Sequence, residues 1–345
     1  MKTIVSGGAG MIGSHLVKRL LDEGREVVLA DDFSRGTAQN LVDKDIKPSD
    51  LGLSHWDNRL DLRYYEDALK VVKGAEVIFH LAAKVGGVQS LHGSNEVELD
   101  ALISNVAIDA NVFRACYEAG VKKIIYASSV SVYPIHTQYQ PNVVLFEDDL
   151  DISTWDLGSR IVNPEGGYGW AKLLGEVALS YTTGPKVGIV RIFSVYGEGE
   201  DFRETSHVVP ALIRKAIRYP EEDFRVWGDG SQSRDFLYVA DCIDAFLKLE
   251  ATLSKDSIKA ITLNIGAGKP VSVRTIAEKV VSISGKKINI VYEPSKPVGP
   301  LSRAADTTKA KSLLDWQPRF SLDDGLRRTY QWVLQKLQHE GEVIA

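Results

Sequence analysis

Through residue 193, short apolar runs alternate with segments in which apolar positions recur every three or four residues. The runs Thr3-Ile4-Val5, Glu26-Val27-Val28-Leu29-Ala30, 76–83, 123–127 and 187–193 are short and largely β-branched, which marks buried strands. A further strand end is expected at 56–60. Helical periodicity follows the first run through Leu16, Leu20 and Leu21. It recurs over 97–119, where Gly120 ends it. Strand and helix in alternation predict parallel strands joined by crossover helices.

After 193 the alternation breaks. Helices are predicted over 208–217, with Pro210 near the first turn, and over 240–249, starting on Asp241. Two more are predicted, over 273–284 and 322–337. Residues 224–230 read as strand and turn leading into 233–239, and 261–265 as a strand before Gly266-Ala267-Gly268. The stretch 134–167 has no period. It carries His136, an acidic patch at Glu147-Asp148-Asp149-Leu150-Asp151, and Trp155. A solvated loop is the default reading, and a lid over a site is the alternative.

At 345 residues, 44% hydrophobic and 25% charged, the chain fits one large globular domain or two ordinary ones. A net charge of −5 without a basic cluster argues against nucleic-acid binding. Cys116 and Cys242 fall in helical apolar patterns, so they read as buried thiols of a reducing compartment. Neither a disulfide framework nor a metal quartet is expected. No apolar run reaches membrane-spanning length, and the chain opens directly on a core strand. A cytoplasmic protein without a signal peptide is therefore expected.

Candidate chemistry starts at the first strand. Gly7, Gly10 and Gly13 give a G-x-x-G-x-x-G spacing between a strand and a helix start. In that context glycines permit a tight turn (Gly7), close approach of a pyrophosphate (Gly10) and tight helix–strand packing (Gly13). The helix N-terminus then faces the phosphates. The plainer alternative is a tight strand–helix turn. Asp31, ending the second strand with Asp32, stands where a carboxylate meets the adenosine ribose, or else caps a turn. It would repel a 2′-phosphate, so NAD is favoured over NADP, although Arg35 lies close by. Asp61, before Leu62, reads either as a contact to adenine or as a turn aspartate. The small Ala82-Ala83 end of the third strand leaves room for a cofactor, and Gly86-Gly87 could approach a ligand closely. Asn105, among apolar neighbours, either braces the active-site backbone or bridges two loops. The cluster Ser128-Ser129, at a strand's carboxyl end, is a ligand position or simple turn chemistry.

Tyr168 and Lys172 are four apart at a helix start, so they share a face. An ammonium beside a phenol lowers its pKa, which suits the tyrosine to act as a general base near neutral pH. Arg203, Arg234 and Arg303 are the basic residues available to clamp a diphosphate; each alone also reads as a surface charge.

In this order the motifs resemble the extended short-chain dehydrogenase/reductase family, in its nucleotide-sugar epimerase and dehydratase branch. The matching stretches run from Gly7 to His15, then Asp31, His80 to Ala83, Ser128-Ser129, Tyr168 with Lys172, 228–239, and Arg303 before Asp306-Thr307. The resemblance implies a Rossmann-type α/β fold: a doubly wound parallel sheet with a smaller mixed α/β C-terminal substrate domain. The expected cofactor domain is 1–195, with 236–265 returning to it. Residues 196–235 and 266–340 are expected to form the substrate domain. NAD is implied as the cofactor, a nucleotide-diphosphate sugar as substrate and a homodimer as the assembly, through the 97–119 and 168–181 helices.

Implied catalytic residues are Ser129, Tyr168 and Lys172. Implied cofactor contacts are Gly7, Gly10, Met11, Ile12, Gly13, Asp31, Asp32, Ser34, Arg35, Asp61, Leu62, Leu81, Ala82, Ala83, Lys84 and Asn105, besides Tyr168 and Lys172. Implied substrate contacts are Gly87, Ser129, Ser131, Ser194, Arg203, Val209, Arg234 and Arg303. No metal is expected.

Within the branch, residues 82–87, 127–134 and 165–172 are most similar to the GDP-mannose 3,5-epimerases. Ser131 replaces that group's cysteine acid/base, and Arg203 its lysine partner. Neither is a good proton carrier at neutral pH. Dehydratases and decarboxylases hold glutamate at the Ser131 position, and many members hold asparagine at that of Ser194. The expected reaction is therefore one that needs no extra acid/base. It is transient oxidation at sugar C4 and hydride return to the other face, as in UDP-hexose or UDP-uronate 4-epimerases. A GDP-mannose 3,5-epimerase-like or other 4-keto-sugar enzyme, such as a decarboxylase or dehydratase, is the alternative. A non-catalytic NAD-binding regulator is disfavoured by the intact triad.

Overall fold

The computed structural model describes residues 1–56, 59–86, 93–150, 162–203 and 206–341. Its centre is a six-stranded sheet in the order Ala260–Ile265, Lys186–Ile192, Lys123–Ser129, Val77–His80, Lys2–Ser6, Glu26–Ala30. Every pair is parallel. Such strands are covered on both faces, which is why the sequence shows near-continuous apolar runs. Val5, Phe79 and Ile125 join one core; Ile4, Ile78, Ile124 and Tyr126 join another. That split is the two-residue alternation of strand side chains between the faces.

Helices Met11–Asp22 and Val239–Thr252 pack together on the first face, and Tyr65–Val72, Asn95–Ala119 and Gly166–Ser180 form the second layer. The 25-residue helix Asn95–Ala119 starts on a Ser94 cap and ends at Gly120, whose φ of +70° is the left-handed stop expected of a glycine. Strand order reverses at Lys2–Ser6, which lies between the second strand in sequence and the third. The crevice beyond its carboxyl end is where doubly wound sheets bind ligands.

Gly166–Ser180 packs unusually close to its neighbours. A Cβ on Gly167 would fall 2.2 Å from the Glu98 carbonyl oxygen, and one on Gly169 2.4 Å from that of Ser131. One on Gly175 would fall 2.3 Å from the Tyr126 hydroxyl. The helix is thereby held against the strand that ends in Ser129.

The remaining chain forms small sheets over the carboxyl edge. Val271–Ser272, Ser233–Arg234, Ser302–Ala305 and Val144–Leu145 make one, and Val291–Glu293 pairs with Arg225–Trp227. Helices Val208–Arg218, Val273–Ser284 and Leu322–His339 pack on one another.

Two expectations change. No strand forms at the described residues of 56–60; the Leu60 N–H donates instead to the Asp31 carbonyl (2.9 Å). The described residues of the 134–167 stretch are more ordered than a loop, with 3₁₀ turns Ile135–Tyr139 and Glu147–Leu150 around strand Val144–Leu145. Glu147 is not solvated: its carboxylate is buried and accepts the Asn264 N–H at 2.7 Å. The cause is Arg191, buried in the fifth strand of the sheet in chain order, which donates to the carbonyls of Glu147 (3.0 Å) and Leu150 (2.9 Å) and draws the segment inward. Asp151 and Trp155 lie outside the described residues.

Candidate active site

The first strand leads into the glycine turn. Gly7 has φ +68°, and a Cβ there would stand 2.8 Å from the Ala82 nitrogen. A Cβ on Gly13 would stand 2.1 Å from the Gly7 carbonyl oxygen, so that backbone contact requires glycine. Gly10 caps Met11–Asp22, and no side chain accepts from the helix's first turn. Met11 and Ile12, half-buried, form that turn. The cradle fits a dinucleotide: bare backbone, helix amides and the positive dipole end point to one place.

Asp31 is buried beside it. One oxygen accepts the Ala9 N–H and the other the Phe33 N–H, both at 2.8 Å. Burial pushes its carboxyl up while the two amides pull it down. Asp32 accepts from the Ser34 amide (2.9 Å) and hydroxyl (2.6 Å), and Arg35 donates to the Val85 carbonyl (2.5 Å). Asp61 is paired with Arg63 at 2.7 Å, which holds its carboxyl below the usual range, while Leu62 is buried in the core.

The N–H groups of Leu81 and Ala82 donate to the Ser6 hydroxyl (3.1 and 3.2 Å). Asn105 braces the loop that follows Ala83: it accepts the Lys84 N–H at 2.7 Å and donates to the Lys84 carbonyl at 3.0 Å. Gly87 lies outside the described residues.

Ser129, at the end of its strand, accepts the Ser131 N–H (3.1 Å) and stands beside the Tyr168 phenol. One turn along the helix, Lys172 is buried with its ammonium 4.6 Å from the centre of the Tyr126 ring. The expected lysine-lowered phenol is not what the protein alone provides. Burial pushes Tyr168 up to about 12, the Ser129 hydroxyl lowers it, and the Asp109 and Glu165 carboxylates raise it further. Lys172 is itself pushed down by burial and pulled up by Asp109 and Glu176. Its positive field is offset in part by Asp109, the carboxylate that also bears on the phenol.

A buried chain beneath this pair escaped the pattern reading. The His80 ring joins the Ser6 hydroxyl (2.6 Å) to Asp109 (3.0 Å), and the Tyr126 hydroxyl donates to the other Asp109 oxygen at 2.5 Å. Burial keeps the His80 pKa low. The only signals were a histidine inside an apolar strand and an aspartate one turn beyond Asn105. Ser128 turns away from the site and donates to Glu176 (2.5 Å), which forms a buried pair with Arg191 (2.8 Å).

On the substrate side, strands Ser233–Arg234 and Ser302–Ala305 place Arg234 and Arg303 opposite each other. The Arg234 guanidinium donates to the carbonyls of Ser233, Pro300 and Val298 at 2.8–2.9 Å. Burial and the neighbouring Arg303 charge push it down to about 9. Arg303 donates to Glu165 (2.5 Å), and the Ser131 hydroxyl donates to the same oxygen (3.0 Å). Glu165, also missed in the sequence, borders a cavity of about 580 Å³ with Tyr139, Trp227, Lys296 and Gly299. Arg203 stands apart, largely exposed and paired with Asp201 at 2.8 Å. Val209 is buried in the core, and half-buried Ser194 accepts the Leu237 N–H through its carbonyl (3.2 Å). Among the described residues, no group of three or more His, Cys, Asp or Glu is placed to hold a metal.

Residues 3–266 match the model of the NAD dependent epimerase/dehydratase family. The GDP-mannose 3,5-epimerase of Arabidopsis thaliana is 30% identical over 344 residues, covering 99% of this chain and 84% of its own. An uncharacterized UDP-glucose epimerase of Bacillus subtilis is 31% identical, covering 99% and 100%. In structure, the chain is similar to the UDP-glucuronic acid 4-epimerase of Bacillus cereus, solved with UDP-glucuronic acid and NAD. The TM-score is 0.80 at 28% identity, over 97% of this chain and 100% of that one.

Proposed function

We propose that this chain, which belongs to the NAD dependent epimerase/dehydratase family, is a nucleotide-sugar 4-epimerase. The observation that carries the reading is the placement of Ser129 beside the Tyr168 phenol, with Lys172 one turn on, at the sheet edge that also carries the glycine turn. NAD, when bound, supplies a ring that takes up a hydride and gives it back. Gly7, Gly10 and Gly13 hold its pyrophosphate, and Asp31 its adenosine ribose. Tyr168 takes the proton of the sugar C4 hydroxyl, and Ser129 hydrogen-bonds the same oxygen. Lys172 holds the nicotinamide ribose and stabilises the phenolate. Arg234 and Arg303 take the diphosphate. The 4-keto sugar turns over in the cavity and is reduced on its other face, so the cofactor is regenerated and stays bound.

Proton transfer by a placed side chain contributes about 10²- to 10⁴-fold to rate. Tyr168→Phe is therefore expected to lose turnover by that factor while retaining NAD. A panel of UDP- and GDP-hexoses followed by NMR tests this, and wild-type turnover by Tyr168→Phe overturns it.

A second reading is supported by the Arabidopsis relative: a 3,5-epimerase or another 4-keto-sugar enzyme. Ser131 and the exposed Arg203 weigh against it as proton carriers. Solvent deuterium at C3 or C5 of the product would favour it.

The assembly is a homodimer. Leu99, Ile103, Trp170 and Leu174 expose 41–58% of their surface on the two helices expected to pair. Sedimentation velocity tests that. The protein works in the cytoplasm, in keeping with two buried, unpaired thiols.

A further inference from the structure

We propose that Asp109 is the counter-ion of Lys172 and acts on it through the ring of Tyr126, as a positioning residue; the use made of the ammonium rests on the 4-epimerase reading. Lys172 is 1% exposed, and a buried ammonium needs a negative partner to stay charged. Its Nζ stands 4.6 Å from the centre of the Tyr126 ring, over the electron-rich face. The Tyr126 hydroxyl donates to Asp109 at 2.5 Å. A phenol whose proton is drawn towards a carboxylate carries more negative charge on its ring, so the two contacts strengthen each other. Asp109 also reaches the helix that carries Lys172. A Cβ on Gly175 would fall 2.7 Å from the Asp109 Oδ2, so only glycine lets helix and carboxylate come this close.

Two buried carboxylates bear on Lys172, Asp109 and Glu176, and they differ in their own partners. Glu176 is paired with Arg191 at 2.8 Å and accepts from Ser128. Asp109 accepts from two groups among the described residues, His80 and the Tyr126 hydroxyl, and both are neutral. The direction of the hydrogen bonds shows this for His80. The Ser6 hydroxyl accepts the N–H groups of Leu81 and Ala82, which leaves its one proton for the His80 Nδ1 at 2.6 Å. The ring's own proton is then on Nε2, which donates to Asp109 at 3.0 Å. The charge of Asp109 is therefore left for Lys172.

Burial pushes the Lys172 ammonium down, and Asp109, ahead of Glu176, pulls it back up. At a separation of about 10 Å and an effective dielectric of about 20, one unit charge changes the proton affinity of another roughly tenfold. Losing the Asp109 charge should therefore lower the pH at which Lys172 gives up its proton by roughly one unit.

The test titrates the holoenzyme with lysine labelled by carbon-13 at Cε, the Lys172 signal being assigned by its loss in Lys172→Met. In Asp109→Asn the Lys172 midpoint is expected to fall by roughly one pH unit, and the alkaline limb of kcat to fall with it. Tyr126→Phe keeps the ring and the carboxylate but cuts the bond between them, so a smaller fall in the same direction is expected. Should Asp109→Asn not fold, Tyr126→Phe decides alone. A Lys172 midpoint that stays in place, with kcat lowered equally at every pH, overturns the proposal and leaves the 4-epimerase reading standing. Turnover of no nucleotide sugar by the wild type overturns that reading, while the Lys172 titration still judges Asp109.

Discussion

Arg191→Met removes the centre of the buried network behind the catalytic strand. The guanidinium is 2% exposed and its partner Glu176 fully buried. It makes three contacts to the Glu176 carboxylate at 2.8–3.2 Å, and one each to the Tyr133 hydroxyl and the carbonyls of Glu147 and Leu150. Methionine fills part of the volume but leaves Glu176 charged, with Ser128 as its remaining hydrogen-bond donor. Breaking a buried pair from one side costs about 3–5 kcal/mol, a large part of the roughly 5–15 kcal/mol that holds a domain folded. With a urea slope of about 3 kcal/mol/M, the unfolding midpoint falls by at least about 1 M. Circular dichroism in urea at fixed protein concentration reads this directly. The double variant Arg191→Met/Glu176→Leu removes the orphaned charge and is expected to recover about half of the loss. The carbonyls of Glu147 and Leu150 stay unpaired in it. A single variant within about 1 kcal/mol of wild type, or a double variant worse than the single, would refute the assignment of Arg191 as the hub.

Other perturbations probe other parts of the molecule. Gly13→Ala puts a methyl group 2.1 Å from a backbone oxygen that cannot rotate away, so the turn must open. The purified variant is expected to lose bound NAD, read by absorbance of the released nucleotide. His15, bonded to the Glu198 carbonyl, is held down to about 3 by burial and Lys44. Unfolded histidine binds a proton near 6.5, so below that pH the unfolded state gains protons the folded state refuses. Stability should fall as pH drops from about 6.5 towards 3, and His15→Gln should flatten that slope in melts across the range.

Much of the fold was legible because buried parallel strands are written as apolar runs. The glycine turn was legible because each glycine answers to a contact, Gly7 against Ala82 and Gly13 against Gly7. Tyr168 and Lys172 could be placed on one face from helical spacing alone. Charges that act inside the core were not legible. No local pattern joins Arg191, Glu176, Asp109 and Glu147, which only the fold buries. Their partners lie 15 to 117 positions away, beyond any local period. The Tyr168 phenol shows the same limit. Spacing to Lys172 suggested a lowered pKa, whereas burial, the Asp109 carboxylate from the neighbouring helix and the Glu165 carboxylate at this helix's own start decide the direction.

The central claim is that hydride leaves C4 and returns to C4 within one pocket, with Tyr168 moving the proton. The most direct measurement uses a nucleotide hexose deuterated at C4, turned over by the holoenzyme in ordinary water and followed by NMR. The account predicts inversion at C4 with the deuterium retained there and a slower turnover than the protiated sugar. Loss of the C4 deuterium to solvent, or a product inverted elsewhere with C4 untouched, would contradict it.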